Sequence, residues 1–160
     1  MVSPQQTTMN WKAASRNLSN VTRPRLSSHL LQSLSRNAPI DLHPEVEYAL
    51  ATKQPVVALE STIITHGMPQ PTNLTTAQSV ETVVRLTGAV PATIAVLGGR
   101  IKIGLEPSQL EHLADTKSNP SVVKVSRRDI APAIAQRKDG GTTCSATLIF
   151  AALAGIKASL

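Results

Sequence analysis

Short apolar runs separated by turn residues organise the chain from about residue 38 onward. Val56–Leu59 is a continuous apolar run that stops at Glu60, and Ala92–Leu97 is a second. Ile101–Leu105 alternates through Lys102, and Gly98-Gly99 lies between it and the run before, which predicts a hairpin. Val122–Val125 is interrupted only by Lys124. These runs predict strands near 56–60, 92–97, 101–105 and 122–125. Between them the spacing turns helical. Asp41-Leu42-His43-Pro44 introduces a short helix through Leu50, with Pro44 in its first turn. Leu74, Ala77, Val80 and Val84 predict a helix over 74–87, capped by Asn73 and ended by Gly88. Further helices are expected from Pro107, over 130–137 and over 143–155, the last packing through Leu148, Ile149, Ala152 and Leu153. Asp139–Thr143 reads as a loop, and Ile156-Lys157-Ala158 as the first step of another strand. Strand and helix alternate with one hairpin, so the fold class is α/β, a mixed sheet with flanking helices.

Length and composition narrow this picture. A chain of 160 residues is one domain by size. With one Trp, one Tyr and one Phe, its core must be aliphatic. No apolar run approaches the roughly 18 residues that span a bilayer, and the single cysteine, Cys144, excludes an intrachain disulfide and a cysteine-based zinc site. The net charge of +6 is concentrated at the amino terminus. Residues 1–40 carry Lys12, Arg16, Arg23, Arg25 and Arg36 and no acid, while the remainder is nearly neutral. A neutral domain almost without aromatics is not a nucleic-acid platform. Residues 1–37 instead have the Arg- and Ser-rich, acid-free composition of a mitochondrial transit peptide, against the plainer reading of a disordered basic tail. Residues 38–160 form the folded part.

Three places carry candidate chemistry. Glu60 ends a buried strand and is followed at once by Ser61, Thr62, Thr65, His66 and Gly67, a polar loop at the carboxyl edge of a sheet, where α/β enzymes build their sites. A strand-end carboxylate also serves simply to cap a loop, and His66 reads more simply as a loop brace than as a ligand. Lys124, embedded among valines and followed by Ser126-Arg127-Arg128, suits a phosphate ester, although strand lysines more often snorkel to solvent. Gly140-Gly141-Thr142-Thr143 enters a helix, where free N–H groups favour an anion. It lacks the lysine and spacing of a P-loop. Cys144 reads as a small buried filler. No His, Asp and Glu set has metal-ligand spacing, so the chain shows no metal site of its own.

GluSerThrIleIleThrHisGlyMetPro, GlyAlaValProAlaThrIleAla, LysValSerArgArgAsp and GlyGlyThrThr occur in that order between residues 60 and 143. Through these blocks the chain resembles the pseudouridine-5'-phosphate glycosidase family, also known as the indigoidine synthase A-like family. The resemblance implies reversible cleavage of the C–C glycosidic bond of pseudouridine 5'-phosphate to uracil and ribose 5-phosphate. It also implies a lysine Schiff base with the opened sugar, manganese or another divalent metal, and a homotrimer. By residue it makes Glu60 the proton donor to the base, Lys124 a substrate contact, and Thr142, Thr143 and Cys144 part of the substrate-lining segment. After Ala152–Lys157 the family continues for a domain-sized stretch that supplies the metal-binding aspartate and the Schiff-base lysine. The expectation is therefore a truncated, amino-terminal half whose own turnover is in doubt. The alternative is a non-catalytic α/β fragment that binds a phosphate ligand or a partner subunit.

Overall fold

The computed structural model describes residues 38–159. The transit-peptide expectation for 1–37 lies outside them. In chain order the elements are β1 (Ile40–Leu42), α1 (Pro44–Ala51), β2 (Val56–Leu59), a π-helical turn (Ile63–Gly67), α2 (Thr72–Leu86), β3 (Val90–Leu97) and β4 (Arg100–Ile103). Then follow α3 (Pro107–Ala114), β5 (Val123–Val125), a 3-10 turn (Arg127–Asp129), α4 (Ile130–Ala135), β6 (Gly140–Thr142), α5 (Cys144–Ala154) and β7 (Ala158–Ser159).

The seven strands form one mixed sheet with β3 at its centre. The main path runs β1-β4-β3-β2-β7, while β6 pairs β3 and β5 pairs β6. The hairpin turn at Gly98 and Gly99 uses φ values of +57° and +75°, which glycine adopts without steric cost. β3 alternates its side chains between two helical layers. Ala92, Ile94 and Val96 join Val46, Ala49, Ala133, Ala146, Phe150 and Ala151 in a core under α1, α4 and α5. On the other face, Ala95 packs with Leu113 and Val122, and Ile64 packs with Leu110 and Ala114. The expected α/β mixed sheet with flanking helices is what forms.

Four expectations need correction. Ile40–Leu42 is a strand and not the approach to a helix; it pairs parallel to β4 as the edge of the sheet. Asn73 is not a cap. It lies inside α2, fully buried, and its amide donates to the carbonyls of Ile64 and Ala114 at 2.8 Å each. One side chain thus ties the π-helical turn to α3. α5 presents a different face from the one expected: Ala146, Thr147, Phe150 and Ala151 are buried, whereas Leu148 and Leu153 are 56% and 66% exposed. A helix apolar nearly all round carries no single stripe from which its orientation can be read. Finally, Gly140–Thr142 is a strand and not a loop.

The β1 edge is held by charge. Asp41 accepts from Arg100 Nη2 at 2.6 Å and from Lys102 Nζ at 2.7 Å. The guanidinium and the ammonium hold its carboxyl well below the usual carboxylate range. A carboxyl depressed in the folded state contributes stability above its unfolded pKa and loses it as pH falls. Asp41 is 34% exposed, so solvent screens the pairs to about 0.5–1 kcal/mol. Asp41→Asn should therefore lower the melting temperature by a few degrees at pH 6, and the difference from the parent protein should shrink as the pH drops below about 4. Parallel thermal melts across that range check both parts.

Candidate active site

The site is built at a junction of strand ends. β2 runs parallel to β3 with Leu59 opposite Thr93, while β6 runs antiparallel on the same edge with Gly141 opposite Ala95. The carboxyl ends of β2 and β6 therefore point at each other and meet beside Ile94. Ser61 N–H donates to the Thr142 carbonyl at 3.1 Å, and Thr142 N–H donates to Ser61 Oγ at 2.8 Å. The hydroxyls of Ser61 and Thr142 both donate to the Ile94 carbonyl at 2.6 Å.

Such an approach needs glycine in β6. A Cβ on Gly141 would lie 2.3 Å from Thr65 Oγ1 and 2.7 Å from the Ser61 carbonyl. The π-helical turn is thereby laid directly over the strand end. His66 is exposed, with its Nδ1 2.7 Å from Thr65 Oγ1.

Glu60 and Cys144 flank the junction, one residue before Ser61 and two after Thr142. Cys144 Sγ donates to Glu60 Oε2 at 3.6 Å. Cys144 is exposed, which corrects the reading of it as a buried filler. Glu60 is half-buried and lines a mainly apolar cavity of about 220 Å3 with Leu59, Ile63, Ile64, Ala77 and Val80. Thr143 is the N-cap of α5 without a side-chain cap bond, and its hydroxyl pairs with Ser145 Oγ at 3.0 Å. The first N–H groups of α5 have no intrahelical acceptor. A carboxyl group thus stands at the positive end of an eleven-residue helix.

Thr142 supports this arrangement from beneath. It is completely buried, with its N–H, carbonyl and hydroxyl all engaged within the protein. Lys124 is exposed on the edge strand β5, in register with Gly141, and lines a different cavity of about 290 Å3 with Asp129, Gln136 and Lys138. Glu60 and Lys124 thus line two different cavities. Arg127 and Arg128 sit with Ser126 and Ser145 around an open cavity of about 430 Å3 beside the start of α5. Among the described residues no three His, Cys, Asp or Glu side chains converge as a metal ion would require. No helix among them is long and apolar enough to cross a membrane.

A mixed sheet with helices on both faces, carrying a strand-end acid beside a helix N-terminus, defines an α/β domain. The chain belongs to the indigoidine synthase A like protein family, whose model matches residues 45–159. It is 55% identical over 121 residues to the pseudouridine-5'-phosphate glycosidase of Hahella chejuensis, covering 76% of this chain and 39% of that protein. The Paracoccus denitrificans protein of the same name is 58% identical over 118 residues, covering 74% and 38%. The chain therefore spans well under half the length of these curated relatives. Among solved structures, the prealnumycin C-glycosynthase in complex with ribulose 5-phosphate superposes with a TM-score of 0.65 at 41% identity, covering 75% of this chain and 37% of that one.

Proposed function

We propose that this chain carries the proton-donating part of a pseudouridine-5'-phosphate glycosidase, which splits a C–C glycosidic bond to give uracil and ribose 5-phosphate. The observation that carries the reading is Glu60, held at the β2–β6 junction against the first residue of α5. Breaking the C–C bond leaves the bonding electron pair on the base carbon, which must take up a proton to become uracil, while the sugar carbon gains the oxygen of a water molecule, so that the net reaction consumes one water. Glu60 is the group placed to deliver that proton. The names of the curated relatives support the substrate, and the sugar phosphate bound by the C-glycosynthase supports the ligand class.

Thr143, Cys144 and the free N–H groups of α5 face the sugar end of the substrate. The phosphate hangs from the far end of the sugar, so it need not share a cavity with Glu60. Lys124 and the Ser126–Arg128 segment offer it a cationic seat. Among the described residues no side-chain cluster fits the manganese that the resemblance implies.

Binding tests the phosphate half of this reading. Titration calorimetry with ribose 5-phosphate should show saturable binding. Lys124→Ala should weaken it about tenfold, the loss expected of one charge-assisted contact. Absence of binding to the parent protein, or equal affinity in the variant, would contradict the assignment of Lys124.

A further inference from the structure

We propose that Ser61 is a positioning residue, whose hydroxyl sets the place of Glu60 relative to the first turn of α5. Strands β2 and β6 come from parts of the chain 81 residues apart, and their facing ends are not joined by any ladder. They are held together by a reciprocal exchange between Ser61 and Thr142, at 3.1 and 2.8 Å.

Proton accounting fixes the direction of every bond. The Ser61 hydroxyl hydrogen goes to the Ile94 carbonyl at 2.6 Å, and its oxygen accepts the Thr142 N–H. The Thr142 hydroxyl hydrogen goes to the same Ile94 carbonyl, so Thr147 Oγ1, 2.9 Å away, must donate to Thr142 Oγ1. Ser61, Thr142 and Thr147 are all fully buried. The network leaves no hydroxyl hydrogen for Glu60, so the clasp does not bond to the carboxylate; it acts through the backbone. Glu60 is the residue before Ser61, and Cys144 is two residues after Thr142. Fixing Ser61 on Thr142 therefore fixes Glu60 against Cys144. Alanine at 61 would strand the Thr142 N–H in a buried site and leave the residue-61 N–H to the Thr142 carbonyl as the one remaining bond of the exchange, loosening the two strand ends.

The catalytic meaning of this placement rests on the proton-donor reading above. The placement itself can be tested without turnover, so failure of the one is distinguishable from failure of the other. Cys144 is the single cysteine and is exposed, so its alkylation reports on its surroundings. The ratio of its rates with neutral iodoacetamide and anionic iodoacetate senses the adjacent Glu60 charge and cancels changes in thiol ionisation common to both reagents.

Glu60→Gln should lower the iodoacetamide-to-iodoacetate ratio about threefold, as expected for one unit charge at contact distance in watery surroundings. Ser61→Ala in the full chain should move the ratio at least half as far. Ser61→Thr, which keeps the hydroxyl, should leave it at the parent value. Asp41→Asn removes an ion-pair partner at the β1 edge, and should lower the melting temperature without moving the ratio. A Ser61→Ala protein with the parent ratio overturns the proposal. So does one that cannot fold at all, because the hydroxyl is then a folding residue and not a positioning one.

Discussion

Gly141→Ala should destabilise the fold more than any other single methyl group added at a glycine in the site. The new Cβ would lie 2.3 Å from Thr65 Oγ1 and 2.7 Å from the Ser61 carbonyl oxygen. One of these atoms belongs to the backbone of the β2 end. The other is a β-branched side chain buried in the π-helical turn. Neither can yield without parting β2 from β6. Overpacking of this kind costs about 3 kcal/mol or more, a fall of roughly 10–20 °C in melting temperature for a domain of this size. Gly67→Ala is the matched control, because its Cβ would come closest to the Ile63 side chain, at 3.0 Å, and φ there is not positive. That variant should melt within a few degrees of the parent protein. Thermal unfolding followed by circular dichroism compares the three. A Gly141→Ala protein as stable as the Gly67→Ala control would show that the strand ends are not packed as described.

The sequence announced those parts of the fold that have an apolar signature. Val56–Leu59, the hairpin about Gly98 and Gly99, and the helix start at Pro107 all lie where the pattern puts them. β6 was not visible, because Gly-Gly-Thr has the composition of a loop. It is a strand only because Val123, Val125, Thr65 and Ser61 close in on it and leave room for nothing larger than hydrogen. Asn73 misleads for a similar reason. Asparagine before a helically spaced apolar segment looks like a cap, but the N-cap position falls on Pro71, and Asn73 donates its amide to the carbonyls of Ile64 and Ala114.

The site was legible to the same degree. Glu60 stands out because a charge ends an apolar run. Ser61 does not, since a small hydroxyl acquires meaning only when β6 arrives from 81 residues downstream to meet it. Cys144 and Lys124 were grouped by resemblance, and the geometry separates them. Cys144 faces Glu60, whereas Lys124 belongs to the neighbouring edge strand.

The central claim is that Glu60 protonates the departing base. Glu60→Gln keeps the shape and a polar head but removes the transferable proton. Loss of a general acid typically lowers the rate by about 10²–10⁴-fold. The group contacts the reacting carbon and not the phosphate, so ribose 5-phosphate affinity should change little. The direct test is a graft in which the matched segment of this chain replaces its counterpart in the Hahella chejuensis relative, to which it is 55% identical. Uracil release from pseudouridine 5'-phosphate is then followed with Glu60 intact and with Glu60→Gln. The account predicts turnover by the first and a loss of at least about a hundredfold in the second, with sugar-phosphate binding retained. Equal rates for the two grafts would contradict it, and so would an intact graft that binds ribose 5-phosphate but releases no uracil.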